Sequence, residues 1–391
     1  MSRRVLLLGV IVLTAMAIGP VPVRGQGITT AIPLKPAAPP DNPTTPEKVA
    51  LGRLLFWDPI LSGNRDVACA TCHHPDTGYS DAVPLSVGVN GVGVGARRTF
   101  VAGAPVRFAK RNSQTVLNTG FNGLTAEGVT APALAPMFWD LRAKSLETQA
   151  LEPSKSAEEM RGDAYSEERA IDTVVTRLKG IPDYVTRFRA VFPDGVTAAN
   201  LGRAIAAFER SLVAVNSPYD RYLRGERTAM TPEQIDGMQA FEQVGCARCH
   251  SGPMFSDFKA HVLGAPENPA LPVRDGGMNG TRAFRTPTLR NLSATGPYMH
   301  SGAFASLNQV LRFYNRGGRG GGGGGRDGRR GGGDGQNVAR AQLDPLLRQL
   351  RGVGRSRDEI VAFLGALNDD SFDRTVPSRV PSGLRPGGRI E

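Results

Sequence analysis

Apolar residues recur at helical spacing in several stretches of the chain, separated by long polar runs rich in glycine and proline. Val49, Leu51, Leu54 and Leu55 follow Thr45-Pro46-Glu47; Ile235, Met238, Phe241 and Val244 follow Thr231-Pro232-Glu233-Gln234. In both, threonine suits an N-cap and proline the first helical position, and Thr231 with Gln234 makes a capping box. The same periodicity predicts helices over Glu167–Lys179, Asp183–Val191 and Thr197–Val215. The last of these sets Leu201, Ile205, Phe208 and Leu212 along one core-facing side. A closing helix is expected at Asp358–Leu367. Strand patterns are sparse, whereas the chain holds 48 glycines and 29 prolines, so the pattern predicts a mainly α fold with long connecting loops.

Each of the first two helices runs towards the same short motif: Cys69-Ala70-Thr71-Cys72-His73 and Cys246-Ala247-Arg248-Cys249-His250. Together these use all four cysteines, which leaves no sulfur for a disulfide framework. The spacing suits covalent c-type haem, in which two thiols add to the vinyl groups and the adjoining histidine ligates iron. A zinc site or a redox dithiol are the other readings; zinc wants four close N/S ligands, and a dithiol has no need of the histidine. The motifs are 177 residues apart, too far for one small cytochrome, so two cytochrome c-like haem domains are expected over 43–215 and 231–367. Their boundary falls near Val215–Thr231. The tail 369–391, rich in Pro, Arg and Gly, either crosses back to the body or lacks fixed structure.

The first 25 residues have the form of a secretory signal peptide. Met1-Ser2-Arg3-Arg4 is basic, Val5 to Gly19 is apolar, and Val23-Arg24-Gly25 places small residues at a cleavage site. The apolar run is short for a membrane span. Export to the periplasm agrees with c-type haem, and membrane attachment would require an uncleaved signal. The net charge is +11, and Arg316–Gly335 alone carries five arginines and two aspartates among glycines. For an exported chain this reads as a solvated loop, the nucleic-acid reading is set aside, and the remaining charge favours an acidic partner protein.

Four further phrases carry a resemblance. Leu51-Gly52-Arg53-Leu54-Leu55-Phe56-Trp57-Asp58-Pro59, Phe138-Trp139-Asp140-Leu141-Arg142-Ala143, Arg285-Thr286-Pro287-Thr288-Leu289-Arg290-Asn291 and Pro297-Tyr298-Met299-His300-Ser301-Gly302 occur in this order. From about Pro43 to Leu367 the chain resembles the bacterial di-haem cytochrome c peroxidase and MauG superfamily. The resemblance implies an N-terminal haem on His73 that reacts with hydrogen peroxide and a C-terminal haem on His250 that handles electrons. It carries over Trp139 as the residue between the haems, with Gln149 and Glu159 on the peroxide side. It also implies a calcium ion held by the Asn112 side chain and the backbone oxygens of Thr295 and Pro297. Electrons would come from a small periplasmic donor, a cytochrome c or a cupredoxin. By composition alone, Glu159 and Gln149 read as helix-surface residues and Trp139 as core.

The chain departs from a standard peroxidase at two ligands. No histidine lies between His74 and His250, and the place of a removable distal histidine reads Ser86-Val87-Gly88-Val89-Asn90. The first haem is therefore expected to be open to peroxide. Where such peroxidases carry a methionine ligand, this chain has Tyr314, the MauG-type arrangement, while Met254, Met278 and Met299 remain rivals. A phenol oxygen favours oxidised iron relative to a thioether. Insertions at Gly123–Pro136 and after Tyr314 set the chain further apart. Three functions follow: a periplasmic di-haem peroxidase, a MauG-like oxidation of side chains in a partner protein, or a non-enzymatic di-haem electron carrier.

Overall fold

A computed structural model describes residues 28–317 and 338–391. The expected signal peptide and nearly all of the glycine–arginine stretch lie outside the described residues. The described chain is mostly helical. Its α-helices are α1 (Pro46–Trp57), α2 (Cys69–Cys72), α3 (Leu146–Gln149), α4 (Ala170–Lys179), α5 (Pro182–Val191), α6 (Ala198–Ser211), α7 (Pro218–Leu223), α8 (Pro232–Val244), α9 (Leu307–Asn315) and α10 (Arg357–Gly365). Sheet is confined to two antiparallel pairs of two-residue strands, β1 (Gly91–Val92) with β2 (Thr99–Phe100) and β3 (Ala260–His261) with β4 (Phe284–Arg285).

Two helical cores organise these elements. In the first, α1, α4, α5 and α6 bury Leu51, Leu55, Val174, Leu178, Tyr184, Phe188, Leu201 and Ile205. In the second, α7, α8, α9 and α10 bury Tyr219, Phe241, Val244, Leu311, Ile360, Phe363 and Leu364. The helix that precedes each Cys-x-x-Cys-His motif crosses its partner at a glycine. A Cβ on Gly52 would lie 2.0 Å from the Ala204 carbonyl oxygen of α6, and one on Gly237 would lie 1.9 Å from that of Glu359 in α10. Only glycine permits these backbone approaches. The same packing solution thus occurs twice in one chain.

The capping expected from sequence is present. Thr45 accepts from the Lys48 N–H, and Thr231 and Gln234 form the reciprocal box. The helix predicted over Thr197–Val215 stops at Ser211. The Asn118 side chain accepts from Ala214 N and donates to Ala214 O, both at 2.8 Å, which holds the following residues extended. Four helices escaped the periodicity reading: the single turns α2 and α3, and the longer α7 and α9. Ser217-Pro218-Tyr219-Asp220 caps α7 inside the expected domain boundary, and Ser306 with Gln309 caps α9, the helix bearing Tyr314.

The ends of the described chain cross over. Ile28 packs in the second core, where its carbonyl accepts from the Tyr219 hydroxyl. The tail takes the opposite course: Phe372 and Val380 pack with Phe56 and Trp57, and Gly387 N donates to Trp57 O at 2.7 Å. The Gly387 carbonyl then accepts from Thr71 Oγ1 at 2.8 Å, so the tail braces the first motif directly.

Candidate functional site

At the first motif, α2 is a single helical turn, which brings Cys69 and Cys72 to one side and leaves His73 at its end. The His73 Nδ1 donates to Tyr79 O at 3.0 Å, with Ser113 Oγ at 3.3 Å, so Nε2 is the nitrogen left for a metal. At the second motif, α8 ends on Gly245 in the left-handed region (φ 100°) and the chain turns through Cys246–Arg248. His250 Nδ1 donates to Phe255 O at 2.9 Å, repeating the arrangement. Burial lowers the pKa of both histidines, which keeps each imidazole neutral and able to ligate.

All four cysteines are unpaired. Burial pushes the Cys72 and Cys246 thiols up to about 12, and that of Cys69 further. A reactive dithiol needs a stabilised thiolate, so this environment argues against one and suits thioether formation.

A cavity with mainly apolar walls opens on Cys246, Cys249 and His250. Tyr314 lines it, half-buried beside both cysteines, and desolvation raises its phenol pKa well above the ordinary value. Met299 lines the same cavity, whereas Met254 is fully buried with Ile32, Phe121 and Leu124. Asn112, Trp139, Thr295 and Pro297 stand on the wall of this cavity too. The Trp139 indole N–H donates to Asn112 O at 3.0 Å, and the next residue, Ser113, contacts His73. Trp139 therefore lies between the two motifs. The Asn112 amide nitrogen is committed to Val83 O at 2.9 Å, which leaves its side-chain oxygen as the atom for a cation.

Glu159 stands near the first motif. It is desolvated, its pKa is raised by burial, and its charge acts on Cys69 and Cys72. The loop Ser86–Asn90 presses against it: a Cβ on Gly88 would lie 2.3 Å from Glu159 O. Arg98 fixes this loop by donating to Gly88 O at 2.7 Å and to Val87 O. No side chain able to ligate iron enters from that loop. His74 packs edge-on to Trp57 at 5.5 Å and its Nδ1 accepts from Asp76 N, so it is a buried, hydrogen-bonded structural residue. Gln149 ends α3, half-buried.

Sequence reasoning missed two buried residues beside these motifs. Glu209 of α6 acts electrostatically on Cys69 and is held protonated by burial to about pH 8. His261 of β3 comes within 4.8 Å of Cys249 and pairs with Asp257 and Asp344. Neither lies in a motif; the family phrase lengths gave no signal for them. The Gly123–Pro136 insertion lies against the second motif: Ala126 N is 3.3 Å from a Cβ built on Gly252.

The comparisons with known proteins agree with this arrangement. The family model for di-haem cytochrome c peroxidase matches residues 46–228. The chain is 33% identical to the methylamine utilization protein MauG of Methylorubrum extorquens, over 87% of this chain and 83% of that one. It is 31% identical to the cytochrome-c peroxidase IdrP1 of a Pseudomonas species (86% and 85%) and 34% identical to the cytochrome c551 peroxidase of Pseudomonas aeruginosa (69% and 72%). A solved MauG-like protein associated with microbial copper homeostasis superposes with a TM-score of 0.68 at 28% identity, covering 87% of this chain and 94% of that one. The chain belongs to the di-haem cytochrome c peroxidase and MauG family, and it is a peroxidase-type oxidoreductase that uses two c-type haems.

Proposed function

We propose that this chain is a periplasmic peroxidase that reduces hydrogen peroxide to water at the His73 site with electrons taken from a small redox protein. The observation that carries this reading is Glu159, a desolvated carboxyl with raised pKa beside Cys69 and Cys72.

The two haems, when bound, supply peroxide binding and storage of oxidising equivalents. His73 and His250 hold the irons through Nε2, since each Nδ1 is committed to a backbone carbonyl. Glu159 takes the proton from the bound peroxide oxygen and returns it to the departing one, so that O–O cleavage releases water. A raised pKa brings its two protonation states closer in energy near neutral pH, as a group that both accepts and donates requires. Gln149 steadies the peroxide oxygens by hydrogen bonding. Over the full cycle one peroxide, two protons and two electrons give two waters. Trp139 would join the two sites, and the Tyr314 phenol oxygen would help to hold the second iron. The Asn112 side-chain oxygen and the backbone oxygens of Thr295 and Pro297 would hold a calcium ion, hard donors for a hard cation.

The donor is acidic in this reading. Arg248, Arg340, Arg348, Arg351 and Arg355 are exposed around the second motif, and none has an ion-pair partner among the described residues. Such a field steers a negatively charged partner. Among the described residues no helix is long and apolar enough to cross a membrane. Periplasmic export rests on the N-terminal basic and apolar segments.

Tyr314 supports a second reading, MauG-like oxidation of side chains in a partner protein, because its phenol lines the cavity at the second motif, where a thioether would otherwise ligate. The test is peroxide-dependent oxidation of a reduced cytochrome c, cupredoxin or artificial donor by the di-haem protein. No oxidation of any donor overturns the peroxidase reading, and peroxide-dependent mass changes in a partner protein favour the second. A carrier closed at both irons would show two low-spin ferric signals and no high-spin one.

A further inference from the structure

Residues 338–350 cover Tyr314. Val338, Leu343 and Leu347 are buried in a small cluster with Val262, Leu263, Leu350 and the Tyr314 ring. Beyond this packing, Asp344 ties the cover to the strand bearing His261. Asp344 N donates to Val262 O at 2.9 Å, and the Asp344 carboxylate meets His261 Nδ1 at 2.6 Å. His261 Nε2 meets Asp257 Oδ2 at 2.9 Å, and Asp257 N donates to Cys249 O at 2.7 Å. A continuous line of short contacts therefore runs from the second motif, through His261, to the segment that lies on Tyr314.

Both ring nitrogens of His261 face carboxylates, so the imidazole carries both protons and bridges two negative charges. Hydrogen bonding to Asp257 is the largest influence raising its pKa above the ordinary value, and hydrogen bonding to Asp344 acts in the same direction. It is 9% exposed, and charge-assisted bonds at such a site are short and directional. Cys249, Asp257 and His261 lie close enough to share a metal ion. However, Cys249 is committed to the haem motif, and both imidazole nitrogens are taken by carboxylates.

We propose that His261 is a positioning residue for Tyr314: by bridging Asp257 and Asp344 it latches residues 338–350 onto the phenol ring and holds its oxygen over the second iron. The proposal rests on the reading of Tyr314 as that iron's ligand. It adds that the ligand alone does not close the site. Without the latch, the Tyr314 helix keeps its capping box but loses the apolar cover that fixes its ring.

The test uses the di-haem protein and compares His261→Gln, Asp344→Asn, Leu347→Ala and Tyr314→Phe by ferric EPR and imidazole titration. Loss of one charge-assisted partner predicts that His261→Gln and Asp344→Asn convert part of the second-haem signal to high spin and tighten imidazole binding there about tenfold. The first-haem signal should not move, which shows that the variants are folded. Leu347→Ala, which leaves the ion pairs intact, should act in the same direction, and Asp344→Glu should restore most of the wild-type spectrum. Combining Asp344→Asn with Tyr314→Phe should add nothing to Tyr314→Phe alone. A second-haem spectrum and imidazole affinity unchanged in His261→Gln and Asp344→Asn, with Tyr314→Phe altered, overturns the latch and spares the ligand. An unchanged Tyr314→Phe overturns both.

Discussion

The two Cys-x-x-Cys-His sites share a backbone plan and differ in what surrounds it. Each follows a helix that crosses its partner at a glycine, and each histidine donates Nδ1 to a carbonyl a few residues on. Around Cys69 and Cys72 stand two desolvated carboxyls, Glu159 and Glu209, both with raised pKa. Around Cys246 and Cys249 stand a half-buried phenol and an imidazole locked between carboxylates. The first set can move protons; the second set is held still. The motif therefore supplies the cofactor's attachment, and residues from distant parts of the chain decide what each site does with it.

The sharpest way to break this contrast is Glu159→Gln. If Glu159 is the proton carrier, peroxide turnover falls by about 10² to 10⁴-fold in steady-state assays, with the second-haem spectrum unchanged. The sign of the pH effect also follows. Because burial raises the pKa of Glu159, its base form is lost at a higher pH than that of an ordinary carboxylate, so the acid limb of the wild-type rate profile lies correspondingly high. A variant with wild-type turnover would remove the protic character assigned to the first site.

Next in size is Phe363→Ala. Phe363 packs edge-on against Tyr219, Phe241 and Phe255, and its truncation should cost about 3–5 kcal/mol in denaturant unfolding of the second core. Spectral probes of the His73 site should respond later in the same titration than those of the His250 site. Simultaneous loss of both signals would show that the crossed-over ends weld the two cores into one cooperative unit.

The smallest effect belongs to Glu209→Gln. The folded pKa of Glu209 is raised from 4.5 to about 8, so its contribution to stability is fully present below 4.5 and is lost as pH rises through 8. Unfolding free energy should therefore fall less between pH 5 and about 8.5 in the glutamine variant than in wild type. Equal slopes would show that Glu209 is already ionised in the folded protein.

Much of this was legible in the residues themselves. Periodicity and caps placed α1, α5, α8 and α10 within a residue or two of their observed ends, because an amphipathic stripe and a cap are local signals. Where the prediction overran, at the end of α6, the cause was non-local: Asn118, remote in sequence, captures the backbone at Ala214. The α9 helix carrying Tyr314 was missed although Ser306 and Gln309 announce its start; it is short, and its apolar face is incomplete without the cover from 338–350.

What the sequence determined by itself was attachment chemistry: two thiols and a histidine at fixed spacing define a covalent haem site wherever they fall. The tertiary structure alone decided environment. Glu209 and His261 look like ordinary surface candidates until folding buries one without a hydrogen-bond partner at Oε2 and pins the other between Asp257 and Asp344. Desolvation and pairing depend on neighbours far along the chain, so no local pattern encodes them.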